Sequence, residues 1–187
     1  MKFVKRAADI FISLLALILL SWLFLIVMVV SLITQGTPIF IGQARYGKGG
    51  KVFKVLKFRT MRKDAPVVAS ADIKATYITK WGGILRKTSI DELPQLINVL
   101  KGDMSLVGPR PLITQETEIH EMRLKEGIYA VRPGITGLAQ INGRDECTNE
   151  EKTRYDKEYI ENMSIGLDIK ILFGTVLPVI MRKDIKH

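Results

Sequence analysis

Residues 10–33 read IFISLLALILLSWLFLIVMVVSLI, 24 residues without a charge. A straight helix of that length spans about 36 Å, enough to cross a hydrocarbon layer of about 30 Å. The run is too long for the apolar region of a secretory leader, and no small-residue cleavage site follows it. No face of it is polar, so it does not read as the surface helix of a soluble core. What flanks it bears on how it meets a membrane. Residues 1–62 carry ten basic side chains and one acid, Asp9. The whole net charge of +9 lies there, because residues 63–187 hold 18 basic and 18 acidic groups. Basic flanks stay on the cytoplasmic side. Two basic flanks favour a re-entrant helix that enters and leaves on one side, and a single-pass helix stays open as the alternative. Ser21, at the middle of the run, can back-bond to a carbonyl and help a bend.

Over its full length of 187 residues the chain is 47% apolar and 25% charged, which excludes a disordered polymer. One cysteine, Cys147, and two histidines, His120 and His187, leave no material for a disulfide or a Cys/His zinc site. Residues 38–42 and 52–58 are rich in β-branched and aromatic side chains and flank Gly47, Gly49 and Gly50, which predicts an antiparallel hairpin. A loop is expected at 63–72. Helical patterns follow at about 80–87, 90–101, 113–126 and 149–162, with Gly102 closing the second. Two Gly/Pro-rich stretches, 103–111 and 130–144, read as long connections of the kind that hold a ligand. Residues 171–181, ILFGTVLPVIM, are too short to span and read either as a core helix or as an interfacial one. The expected class is α+β, mostly helical with a small antiparallel element. It divides into a membrane-inserted segment, 1–36, and a catalytic domain, 37–187.

Several residues carry chemistry. Ser89-Ile90-Asp91-Glu92 reads as a helix capping box, but Pro94 then falls too deep in the helix. The other reading makes Asp91 and Glu92 an ionised pair at a helix start, able to hold Mg²⁺ or to attack an electrophile. Arg110 stands between Pro109 and Pro111, and Arg132 and Arg144 also lie in stiff or tight turns. With Arg86 one turn before the acidic pair, they favour a phosphate-rich ligand. Neither a Walker A nor a dinucleotide fingerprint is present. The basic, aromatic stretch 45–62 has the composition of a single-strand nucleic-acid binder. The neighbouring apolar run explains the same charge more simply, as attraction to anionic headgroups, so nucleic acid is not expected.

The blocks KFRTM (57–61), SIDELPQLINVLKGDMSLVGPRP (89–111), VRPGITGLAQINGR (131–144) and LDIKIL (167–172), in that order, resemble the bacterial sugar transferase family. Within it the chain is most similar to the small monotopic polyprenyl-phosphate phosphoglycosyl transferases. The resemblance implies transfer of a sugar-1-phosphate from a UDP-sugar to polyprenyl phosphate, commonly undecaprenyl phosphate, with release of UMP. It implies Mg²⁺ dependence, Asp91 as nucleophile, and Glu92 as base or metal contact. It implies phosphate contacts from Arg86, Arg110, Arg144 and Lys57, and a further acidic position at Asp156. It places the chain on the cytoplasmic face of the bacterial inner membrane, with an N-terminal helix broken at a Ser-Pro pair. Here that pair is Ser21-Trp22, without the proline. A scaffold that keeps the fold and lacks catalysis is the competing class. The sugar and the glycan pathway are not readable.

Overall fold

The computed structural model describes residues 2–65, 75–143 and 147–181. The apolar run is two helices, α1 (Lys2–Leu19) and α2 (Ser21–Gln35), bent by 62°. The break falls at Leu20, one residue before the expected pair, with φ −98° and ψ 8°. Ser21 Oγ donates to the carbonyl of Ile18 at 2.8 Å. The hydroxyl thus tightens the turn that a proline would otherwise force. Among the described residues no single helix is long and apolar enough to cross a membrane, and this bent pair is the one candidate. Its outer face leaves Phe11, Ile18, Leu19, Leu25 and Ile33 exposed, with Trp22 61% exposed beside the bend. A continuous apolar face of this kind needs a partner other than water.

The inner face is tied to the rest of the chain by polar groups. Asp9, buried, accepts from Ser105 Oγ at 2.8 Å and from the Leu106 N–H at 3.1 Å. Lys5 Nζ lies 2.6 Å from Asp168. Arg6 donates to the carbonyls of Val99 and Leu100, and Arg59 to those of Gln35 and Gly36. These cations satisfy the last carbonyls of two helices, where positive charge is favoured. Part of the basic flank read as headgroup attraction is therefore spent inside the protein.

The hairpin is β1 (Phe40–Tyr46) and β2 (Val52–Phe58), antiparallel with Ile41 opposite Lys57. Asn98, from α4 (Gln95–Lys101), accepts from the Leu56 N–H and donates to the Lys54 carbonyl, both at 2.9 Å. This clamp gives the edge of β2 the partners a third strand would supply. It also fixes where Lys57 stands. The aromatic rings of Phe24, Phe40 and Phe58 pack together between α2 and the hairpin, with Phe40 stacked on Phe58.

Helix α3 (Lys80–Lys87) starts at Thr79, whose side chain accepts from the Gly82 N–H. No capping box forms at Ser89. That residue is left-handed, with φ 56°, and opens a 3₁₀ turn over Ile90–Glu92. Pro94 then caps α4, which begins at Gln95 rather than 90, and Gly102 ends it with φ 93°. Proline at a helix start loses nothing, whereas inside the helix it would cost a hydrogen bond.

The two Gly/Pro-rich stretches are not irregular throughout. They contribute β3 (Ser105–Val107) and β4 (Gly134–Thr136), a short parallel pair in register Ser105–Gly134 and Val107–Thr136. The small sheet content is thus parallel as well as antiparallel. The backbones touch closely: a Cβ on Gly134 would lie 2.1 Å from the Gly108 nitrogen and 2.3 Å from the Thr136 oxygen. Gly134→Ala is expected to cost at least about 2 kcal/mol in urea unfolding, because backbone must move to admit the methyl.

Helix α5 (Thr117–Lys125) starts four residues later than its pattern suggested. Ile113 instead bridges to Arg45, and its N–H donates to Glu116. A single turn, α6 (Leu138–Ile141), precedes α7 (Asn149–Glu161), which has a full capping box from Thr148 and Glu151. The apolar stretch at 171–181 is the later part of a longer helix, α8 (Ile165–Met181). Ile171 is buried in the core while Ile165, Ile169 and Phe173 are exposed, so α8 is core on one face and bare apolar on the other. The main core joins Val55, Val99, Met104, Val107, Tyr159 and Ile171, with Ala16 and Leu17 of α1 packed against it. The loop expected at 63–72 falls mostly outside the described residues.

Candidate active site

The hairpin, the 3₁₀ turn, α4, the loop of Arg110 and α6 meet at one cleft. It is lined by Arg45 of β1, Lys57 of β2, Glu92 and Gln95, Arg110, and Gln140 of α6. Lys57 Nζ donates to Glu92 Oε1 at 2.7 Å. Pro109 and Pro111 are buried on either side of Arg110, and its carbonyl accepts from Arg123 Nη1 at 2.6 Å. Arg45 donates to the Pro111 carbonyl at 3.0 Å and to Gln43 Oε1 at 2.7 Å. One carboxylate therefore faces three cations, which is an arrangement for binding a multiply charged anion.

Asp91 does not line this cleft. It lies one residue away in the 3₁₀ turn, 7% exposed. Among the described residues no side chain donates a hydrogen bond to it. Burial pushes its carboxyl up to about 6, with Glu92 adding to the shift and Lys57 and Arg86 opposing it. A three-residue turn is too short for a helix dipole to cancel that desolvation, so Asp91 is less acidic than its place at a helix start implied. Burial also pushes Glu92 upward, but Lys57, Arg110 and Arg45 together hold it below the usual carboxylate range. Two adjacent carboxyls pushed in opposite directions are suited to separate tasks. Arg86, at the end of α3, is oriented by Thr60: its Nε donates to Thr60 Oγ1 at 2.9 Å.

The expected residues thus divide. Lys57, Glu92 and Arg110 share the cleft, and Asp91 and Arg86 adjoin it. Arg132 points elsewhere, donating to the Gly102 carbonyl at 2.7 Å. Asp156, on α7, forms a buried ion pair with Arg123 and reaches the site only through that arginine's bond to Arg110. Arg144 lies outside the described residues. Arg45, Gln95 and Gln140 were not anticipated. Arg45 is 8% exposed, and burial and Arg110 lower its pKa to about 10. A polar Gln-Ala-Arg alternation inside a strand was the available sign of an inward-facing arginine.

Among the described residues no group of three His, Cys, Asp or Glu side chains could hold a metal. Two adjacent hard oxygen donors, Asp91 and Glu92, do fit Mg²⁺, which is commonly held by one or two carboxylates with substrate phosphates and water completing the set.

A cleft in which one carboxylate faces three cations is a site for an anionic ligand, and it belongs to a chain that also carries an exposed apolar helix pair. The chain belongs to the bacterial sugar transferase family, which matches residues 1–182, and is an enzyme of that kind. It is 39% identical to the exopolysaccharide production protein ExoY of Sinorhizobium fredii, over 96% of this chain and 86% of that protein. It is 41% identical to the uncharacterized sugar transferase EpsL of Bacillus subtilis, over 98% of this chain and 90% of that protein. It is 42% identical to the UDP-glucose:undecaprenyl-phosphate glucose-1-phosphate transferase of Escherichia coli, over 97% of this chain but 41% of that longer protein.

Proposed function

We propose that this chain transfers a sugar-1-phosphate from a UDP-sugar to polyprenyl phosphate, as undecaprenyl phosphate, releasing UMP and starting assembly of a bacterial surface glycan. The observation that carries the reading is the cleft in which Lys57, Arg45 and Arg110 face Glu92 beside the buried Asp91. An Asp91 carboxylate oxygen attacks the sugar-linked phosphorus. A bond forms from Asp91 to phosphorus, and the bond from phosphorus to the UMP oxygen breaks. The polyprenyl phosphate oxygen then attacks the same phosphorus and releases Asp91, while Glu92 takes any proton the acceptor carries. Arg110, Arg45 and Lys57, joined by Arg86, bind and orient the anions and lower the repulsion between them. Arg144 and Asp156 are further candidates, as a phosphate contact and an acidic site group. Asp91 and Glu92 would hold Mg²⁺, which would supply neutralisation of phosphate charge.

The segment 1–36 is read as re-entrant, with the catalytic part, 37–187, on the cytoplasmic face of the inner membrane. The bent α1–α2 pair with exposed apolar faces supports this, as does the exposed face of α8. Incubation of purified protein with a panel of UDP-sugars and Mg²⁺, without acceptor, is expected to release about one equivalent of UMP per enzyme for a matching donor. No release with any donor, but multiple turnovers once polyprenyl phosphate is added, would replace the two-step route by direct transfer.

A further inference from the structure

A second cleft shares no lining residue with the catalytic one. Its walls carry Lys5, Arg6, Lys48 and Arg132, with Asp9 as the one carboxylate. Asp9 offsets only one of these four charges. Its oxygens are taken by Ser105 and the Leu106 N–H, with Lys5 4.0 Å away. Lys5 is matched by Asp168. Arg6 and Arg132 donate to main-chain carbonyls, which fix the guanidinium groups and cancel no charge. Lys48 stands exposed in the hairpin turn. Among the described residues none of Arg6, Lys48 and Arg132 makes an ion pair.

Val107, Val131 and Met163 give the wall an apolar part, beside the hydroxyls of Ser105 and Tyr159. The place of this cleft matters as much as its charge. Lys5 and Arg6 come just before the uncharged run that begins at Ile10. Met163 comes just before α8, whose Ile165, Ile169 and Phe173 are exposed. The cleft therefore sits where two bare apolar helices both begin. With those helices seated in a bilayer, that level is the layer of phosphates.

We propose that this cleft seats the phosphate headgroup of an anionic membrane phospholipid, apart from the catalytic cleft. Arg6, Lys48 and Arg132 meet the phosphate, and Val131 and Met163 meet the glycerol and the first acyl carbons. The proposal rests on the membrane reading above and is independent of which reaction the enzyme catalyses. A bound lipid of this kind would hold the start of α1 and the hairpin turn at one depth, which sets the height of the catalytic cleft above the bilayer.

The test uses the full chain, vesicles of phosphatidylcholine alone or mixed with phosphatidylglycerol, flotation, and the lipid retained after detergent extraction. The wild type is expected to float with both vesicles and to retain phosphatidylglycerol in preference to phosphatidylcholine. Lys48→Glu is expected to lower that preference by about fivefold or more, since one basic group near an anionic surface is worth about 1 kcal/mol. Lys48→Gln should lower it less, and an unchanged thermal midpoint shows that both variants fold. Millimolar inorganic phosphate that displaces the retained lipid would reassign the cleft to free phosphate and overturn the proposal. Equal retention of both lipids by the wild type overturns this inference alone. A wild type that floats with neither vesicle overturns the membrane reading and this inference with it.

Discussion

Asp91→Asn is expected to reduce turnover on the order of 10⁴-fold, the scale on which an essential nucleophile is lost. The same change is expected to leave the fold as stable or more so. Asparagine matches the shape, and no described side chain donates to the carboxylate that it replaces. A carboxyl held at about 6 rather than 3.8 destabilises the folded state at neutral pH by roughly 3 kcal/mol. The sign follows from proton uptake. Between those two values the folded state binds the proton that the unfolded state has lost, so wild-type stability falls as pH rises through that window. Asp91→Asn removes the fall. Urea midpoints in chelator-containing buffer at pH 4 and pH 7 measure it, and the gap between variant and wild type should open at pH 7. Glu92→Gln provides the contrast. It breaks the 2.7 Å pair with Lys57 and leaves that ammonium without its anion, so it should lower both activity and stability. If Asp91→Asn still releases one equivalent of UMP while Glu92→Gln does not, the two roles are exchanged.

Such a separation of roles is not readable from the string Asp-Glu. Both carboxyls look alike at a helix start, and only the packing of α3, β2 and the 3₁₀ turn pushes one up and the other down. The hairpin was legible, because β-branched and aromatic residues gather on both sides of Gly47, Gly49 and Gly50, although its first strand runs Phe40–Tyr46 rather than 38–42. The parallel pair β3–β4 was not, because three residues are too few to show a period and their glycines and prolines read as loop. Arg45 was hidden by its own charge, counted among the basic residues near the apolar run although it faces the cleft. Lys5, Arg6 and Arg59 were hidden in the same way. Charge is visible in sequence, but whether it meets lipid or a helix's last carbonyls depends on contacts as distant as Arg6 to Val99. Pro94 argued by sterics against a helix start at Ser89, but the start near Ile90 or Asp91 that it favoured is a separate 3₁₀ turn, and α4 itself begins at Gln95.

Arg123 and Asp156 show how such a contact can resemble a site residue. Their side chains are 3% and 2% exposed, and neither lines the catalytic cleft. Burial pushes Asp156 up to about 6 even though Arg123 opposes it. Arg123→Met removes that opposition and leaves a buried carboxyl unpaired, which is expected to cost about 3–5 kcal/mol at pH 8. The penalty should shrink toward pH 5, because the variant's folded carboxyl then takes up a proton that the unfolded chain, near 3.8, does not hold. Adding Asp156→Leu to Arg123→Met should recover most of the loss, since an apolar pair of similar size replaces a desolvated ion pair at little cost. Turnover separates structure from chemistry. The double variant still lacks the Arg123 bond to the Arg110 carbonyl, so it should fold well and yet bind donor less tightly, with a raised KM. Asp156→Asn, which keeps the shape and a hydrogen-bond acceptor for Arg123, should retain most activity if Asp156 acts through Arg110. A collapse of kcat in Asp156→Asn with no change in its urea midpoint would place this carboxylate in the reaction itself, as the family resemblance implied.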